Sequence, residues 1–226
     1  MDATTRRTLL RAIPLSLVIA VASLFLFAWI ADEVLEQGTR RFDDQVRTVV
    51  HLHSSPPLTV FMRGVTLLGS REVLLPVVLL GLAVLLVRGK RQDAILLAVT
   101  MTGAVVLEVM LKLSYHRARP DPFFNIPPPN SYAFPSGHAL ASLCFYSTVA
   151  WMMSERLEKR WRRVAVWIVA GLLIGLIALS RIYLGVHYAS DVLGGYAAAT
   201  VWMGAVETAF GRMRSRQPIR QVSDAS

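Results

Sequence analysis

The stretch VAVWIVAGLLIGLIALSRI, Val164–Ile182, decides the architecture. It carries no charge before Arg181, and at ~1.5 Å per residue a 19-residue helix is ~28 Å long, enough to cross the hydrocarbon of a bilayer. Arg160, Arg162 and Arg163 precede it, and His187 and Asp191 follow within a short turn. Working outward, five more apolar segments are expected to be spans: about 13–31, 73–87, 94–113, 137–153 and 192–210. The 73–87 segment is the weakest, because Arg71 and Glu72 shorten it. The expected fold is all-α: a polytopic membrane protein, a six-transmembrane-helix bundle with short interfacial helices between spans one and two. A single membrane domain fills residues 1–226.

Composition agrees with that class. The chain has 226 residues, 54% of them hydrophobic, with several long apolar runs that a soluble domain of this length would not carry. The net charge of +9 would suit nucleic acid, but the cations sit in short loops beside apolar runs, which is the pattern of membrane topology. No nucleic-acid partner is expected. Cys144, the one cysteine, lies inside an apolar run and reads as a small buried hydrophobe.

Charge placement orients the bundle. Arg6, Arg7 and Arg11 precede span one; Arg88, Lys90 and Arg91 separate spans two and three. Arg156, Lys159, Arg160, Arg162 and Arg163 separate spans four and five, and Arg212, Arg214, Arg216 and Arg220 form the tail. With six spans all of these fall on one side. The positive-inside rule then makes it cytoplasmic, together with the N-terminus (1–12) and the tail (211–226). The first apolar segment is longer than a signal-peptide core and lacks a clear cleavage site, so an uncleaved span is expected.

Three polar blocks fall at the opposite ends of the spans. Lys112 and Arg119 lead into Pro120, which stops a helix. A Glu108–Lys112 pair one turn apart offers Lys112 a purely structural role. Pro135-Ser136-Gly137-His138 reads as a helix start, with Ser136 as N-cap and Gly137 allowing close backbone approach. Free N–H groups there bind anions. Ser180-Arg181 with His187 and Asp191 is the most chemical block, because a carboxylate four residues on can fix the imidazole tautomer. His116 and Arg117 read chiefly as ordinary loop groups, though either could help steer an anionic head group without being catalytic. Three cations, two imidazoles and one carboxylate are the inventory of a metal-free phosphatase.

The order Lys-x6-Arg-Pro, Pro-Ser-Gly-His, Ser-Arg-x5-His-x3-Asp, from Lys112 to Asp191, resembles the type 2 phosphatidic acid phosphatase superfamily. That family includes membrane lipid phosphatases, glucose-6-phosphatase and soluble vanadium haloperoxidases. The resemblance is to bacterial enzymes of the undecaprenyl-diphosphatase and phosphatidylglycerophosphatase B type. It implies six helices with the site at the outer face. By resemblance His187 is the nucleophile that forms a phosphohistidine, Asp191 orients it, and His138 protonates the leaving oxygen and then activates water. Lys112, Arg119, Ser136, Gly137 and Arg181 would hold the phosphoryl oxygens. No cofactor and no metal is expected, and the partners are a lipid phosphate and the bilayer.

The substrate expected is undecaprenyl diphosphate or phosphatidylglycerophosphate, with lipid A and phosphatidate as alternatives. A lipid phosphotransferase and a non-catalytic anion-binding or transport protein are the competing functions. Between Asp32 and Glu72, Phe42, Val46, Val49 and Val50, then Leu58, Met62, Val65 and Leu68, recur at near-helical spacing around Pro56-Pro57. They suggest two short helices, in the interface or packed on the spans. His51 and His53 are weak metal candidates. The loop 121–134, with Pro122, Pro127, Pro128, Pro129, Phe123 and Phe124, reads equally as a stiff rim at the site or as just a tight connection between spans three and four.

Overall fold

The computed structural model describes residues 15–127 and 129–215. The expected cytoplasmic arm with Arg6, Arg7 and Arg11, the rim residue Pro128 and the tail from 216 lie outside the described residues. The described chain forms eight helices: α1 Leu15–Leu35, α2 Arg40–Leu52, α3 Pro56–Leu67, α4 Arg71–Val87, α5 Arg91–Tyr115, α6 Gly137–Ser154, α7 Arg160–Tyr183 and α8 Ala189–Ser215. Residues 211–215, expected to open a polar tail, continue α8 instead.

Helices α1, α5 and α7 are long and apolar enough to cross a membrane, and α3 with α4 forms a fourth candidate bent by 41°. Helices α6 and α8 fall short of that test although both were expected to span. The reason lies in their surroundings. Helix α6 packs on α5, α7 and α8, and α8 also packs on α1 and α5, so much of their surface meets protein. Ser142, Cys144, Thr148 and Ala199 are buried there. A helix shielded by its neighbours needs less apolar surface than one facing lipid. Conversely Leu24, Phe25, Leu75, Leu79, Val105 and Leu172 are exposed on the outer helices, as lipid-facing side chains are.

The core is built where α4, α5, α6 and α8 meet, around Val78, Leu97, Met101, Leu140, Cys144 and Ala198. Trp202 of α8 donates its Nε1–H to the Thr100 carbonyl, 3.0 Å away, fixing α8 against α5. The loops after α4 and α6 lie at one end, where Arg156 pairs with Asp93. The loops 116–136 and 184–188 lie at the other.

Both short helices expected between the first two spans are present. Pro56 and Pro57 open α3, where a missing N–H costs nothing. Val46 and Val50 of α2 pack against Ala178 and Ile182, and Met62 of α3 packs on Tyr183 and Leu184, while Phe42 and Val49 stay exposed. Helix α3 thereby seats on α7, and α2 on both α7 and α8. Ser70 caps α4 by accepting from the Val73 N–H, so α4 starts at Arg71, ahead of the apolar run. Helix α5 ends at Tyr115, near the expected end of the third span, because His116 adopts the left-handed conformation and its N–H closes on the Lys112 carbonyl.

Candidate active site

Five elements converge at one end of the bundle. Lys112 comes from the last turn of α5, Arg119 from the loop behind it, Gly137 and His138 from the first turn of α6, Arg181 from the last turn of α7, and His187 from the turn into α8. All six line one cavity of about 550 Å³. Ser136, Ser180 and Asp191 lie behind its wall. Ser136 is fully buried and caps α6, its Oγ accepting from the Ala139 N–H. Ser180 donates to the Ile177 carbonyl.

The turn between α7 and α8 is tight because Gly185 takes φ +74 in close contact with Phe123. That turn buries His187. Its Nδ1 stands 3.3 Å from Asp191 Oδ2, and its Nε2 is 2.9 Å from Arg119 Nη1. A guanidinium can only donate, so Nε2 is the acceptor and Nδ1 carries the proton toward Asp191. The tautomer with Nε2 unprotonated is therefore fixed from both sides. Burial, then Arg119, Arg181 and Lys112, hold the imidazole well below its ordinary pKa. It is a neutral base with its lone pair toward the cavity.

Arg119 is itself clamped: Nε donates to the Ser131 carbonyl at 2.6 Å, Nη2 to Ser131 Oγ at 2.9 Å, and Nη1 to the Val186 carbonyl at 2.8 Å. Arg181 donates to Thr66 Oγ1 at 2.7 Å, while its Nε is buried without a partner. A buried charged donor left open in a cavity wall is a ready site for an anion. Lys112 pairs with Glu108 at 2.7 Å, and Arg71 reaches the same Glu108 oxygen at 2.8 Å. The Glu108–Lys112 pair read from spacing is thus real, yet Lys112 still faces the cavity. A Cβ on Gly137 would come within 2.1 Å of the Glu108 carboxylate, which explains the glycine. With Glu108 engaged by two cations, the wall favours an anion over a metal ion.

Two residues left aside in the sequence become central. Arg117 donates to Asp191 Oδ1 at 2.5 Å, to Ser190 Oγ at 2.7 Å and to Asp43 Oδ2 at 2.8 Å. Burial opposes its charge, but Asp191 and Asp43 more than compensate, and its pKa lies above the ordinary arginine value. Asp43 had no local signal beyond being a polar residue on an amphipathic helix. His116 caps α5 and packs edge-on to Tyr132. His51 stacks on Phe123, and His53 lies 2.8 Å from the Val49 carbonyl. Phe123 and Phe124 bolt the rim loop to α2 and α7 through His51, Arg47 and Tyr183.

Away from these groups the cavity continues as an apolar groove between α4 and α5, walled by Leu75, Val78, Leu79, Leu82, Met101 and Val105.

Residues 93–214 match the PAP2 superfamily. Phosphatidylglycerophosphatase B of Bacillus subtilis is 34% identical over 178 residues, which are 77% of this chain and 87% of that protein. An undecaprenyl-diphosphatase of Sulfolobus acidocaldarius is 25% identical over 186 residues, 80% of this chain and 82% of that one. The crystal structure of the transmembrane PAP2 type phosphatidylglycerolphosphate phosphatase from Bacillus subtilis superposes with a TM-score of 0.79 at 28% identity, covering 89% of this chain and 98% of that chain. LpxE of Aquifex aeolicus shares the fold, with a TM-score of 0.54 at 22% identity over 74% of this chain and 95% of its own.

Proposed function

The chain belongs to the PAP2 superfamily, and from that premise we propose that it hydrolyses a lipid phosphate or diphosphate at the outer face of the membrane through a phosphohistidine on His187. The observation that carries the proposal is the continuity of one cavity. One end is walled by Lys112, Arg119, Arg181, His138 and His187, and the other by aliphatic side chains of α4 and α5. An anionic head group with an acyl or prenyl tail has that same division of polarity.

In the proposed reaction the three cations and the Gly137 backbone bind the non-bridging phosphoryl oxygens, where charge accumulates in the transition state. His187 Nε2 attacks phosphorus. The bond from phosphorus to the leaving oxygen breaks, and His138 supplies that oxygen with a proton. Asp191 balances the positive charge that develops on the His187 ring. His138 then takes a proton from water, whose oxygen attacks the phosphohistidine, and inorganic phosphate leaves with His187 restored. No metal ion takes part in these steps.

The same reading makes α1, α4, α5, α6, α7 and α8 six spans of a bacterial cytoplasmic membrane protein. The arginine-rich loops after α4 and α6 and both termini face the cytoplasm, and the site faces away from it. Helices α2 and α3 then sit at the outer interface. The preferred substrates are phosphatidylglycerophosphate and undecaprenyl diphosphate, following the similarity to the relatives of those names. The test is phosphate release by the detergent-purified protein in EDTA from these two lipids, phosphatidate and lipid A. Release from one lipid that is lost in His187→Ala supports the reading. Release that survives in His187→Ala, or that EDTA abolishes, removes it.

A further inference from the structure

Asp43 lies on α2, fifty positions before the segment that matches the superfamily, yet it is fully buried against the start of α8. Its Oδ1 accepts from the Ser190 N–H at 2.9 Å, and its Oδ2 accepts from Ser190 Oγ at 2.6 Å and from Arg117 Nη2 at 2.8 Å. Arg117 Nη1 passes the connection to Asp191 Oδ1. The other Asp191 oxygen accepts from the Tyr188 N–H at 2.9 Å and faces His187 Nδ1. Four charged or titratable groups thus stand in one buried line: Asp43, Arg117, Asp191, His187.

Resting on the assignment of His187 as nucleophile, we infer that Asp43 and Arg117 are positioning residues for it, acting through Asp191. Two functions follow from the geometry. Arg117 holds Oδ1, so the carboxylate cannot rotate and Oδ2 stays aimed at the imidazole. Asp43 neutralises the guanidinium from its far side. Without Asp43, the Arg117 charge would be compensated by Asp191 alone, and Asp191 would have less field to offer the cationic ring formed on attack. Capping alone does not explain this arrangement. The Ser190 N–H needs only a neutral acceptor such as an asparagine oxygen, whereas the second Asp43 oxygen meets a guanidinium. Thr39 Oγ1, 3.1 Å from Arg117 Nη2, and the Tyr188 ring under Arg117 complete a socket that aligns the fork. The helix α2 thereby becomes part of the catalytic apparatus although it touches no substrate.

The experiment compares Asp43→Asn, Arg117→Gln, the double variant and His187→Ala in the full chain, purified in detergent. Phosphatidylglycerophosphate and undecaprenyl diphosphate serve as probes, and thermal stability is recorded in parallel. Asp43→Asn keeps an acceptor for the Ser190 N–H, so it separates charge from capping. The expected result is a kcat lower by about 10–100-fold with KM within a few-fold, as for groups that orient a ligating or reacting side chain. Adding Asp43→Asn to Arg117→Gln should cost little more, because the two act in series. A readout without substrate is the ¹⁵N ring shift pattern of His187, assigned by its loss in His187→Ala. In Asp43→Asn the Nδ1 resonance should shift, because the Asp191 carboxylate it faces is less firmly held, while Arg119 keeps the proton on that nitrogen. Should that variant fold poorly, Arg117→Lys replaces it, since one ammonium cannot bridge two carboxylates as a fork does. A wild-type kcat and unchanged His187 shifts, or losses that multiply in the double variant, overturn the inference. Full activity in His187→Ala would instead overturn the nucleophile assignment on which it rests, and the inference with it.

Discussion

Arg119 and His187 meet at 2.9 Å, guanidinium to imidazole, with the arginine donating to the very nitrogen that faces the cavity. The lone pair proposed to attack phosphorus is therefore engaged until another acceptor draws the guanidinium away. A phosphoryl oxygen is such an acceptor, so binding of substrate and release of the nucleophile are the same event. Arg119→Gln should lower kcat/KM by about 100-fold, the cost of one lost transition-state donor. Arg119→Lys should recover only part of it, because a point charge cannot hold Ser131, Val186 and phosphate together. Steady-state phosphate release checks both.

The depressed His187 pKa makes stability depend on pH. In the unfolded chain the ring takes a proton near its ordinary value of about 6.5, but in the fold it does not. The contribution is fully present above that value and is lost as pH falls toward the folded pKa, since the unfolded state then binds the extra proton. Melting temperature should drop as pH is lowered from about 7.5 to about 5. His187→Gln should flatten that slope. An equal slope in the two proteins would refute the assignment.

Glu108 sits among the cations and pairs with Lys112. Glu108→Gln removes a charge that repels phosphate while leaving Lys112 less compensated. Inhibition by inorganic phosphate should strengthen several-fold, and thermal stability should fall, both measurable on one preparation. Weaker phosphate inhibition would mean that Glu108 chiefly orients Lys112.

Gly137→Ala places a methyl group on the Glu108 carboxylate. Glu108 is tethered by Arg71 and Lys112, so the clash is relieved by breaking those contacts or by shifting the start of α6. Activity should fall by about 10-fold or more, and Glu108→Ala in the same chain should restore part of it by removing the obstacle. Relative kcat values of the single and double variants decide.

Filling the groove tests the lipid end of the cavity. Val105→Trp projects from α5 into the space facing α4. KM for a long-chain lipid phosphate should rise about 10-fold while that for a short-chain analogue changes little. A uniform rise for both would show that the tail binds elsewhere.

Much of the candidate site was legible in the chain because its residues are tied to local punctuation. Ser136 caps a helix, Gly137 sits where only hydrogen fits, and the four-residue spacing of His187 and Asp191 survives folding. Those signals act over one turn. What could not be read acts across the bundle. Asp43 and Arg117 meet over 74 positions, and nothing near either residue announces the other. The two shielded spans were less legible for a similar reason. Hydropathy reports contact with lipid, and α6 and α8 trade that contact for each other and for α5, α7 and α1. The third span was expected to end at about 113, and the helix runs on only to Tyr115, where the left-handed His116 ends it, a conformation that few sequences betray.

The groove between α4 and α5 is walled by Leu75, Leu79 and Val105, side chains that are themselves exposed on the outer surface of the bundle. It therefore opens sideways, into the plane where lipids diffuse, as well as toward the head-group layer. The concentration that governs such an enzyme is a mole fraction per unit area, not an amount per volume. Diluting the substrate with inert lipid or detergent would slow turnover even when its bulk concentration is held constant. An inhibitor built on the phosphate alone would lack the partitioning step that delivers a lipid, so adding a hydrocarbon tail should raise its potency before it makes any new contact with the cations.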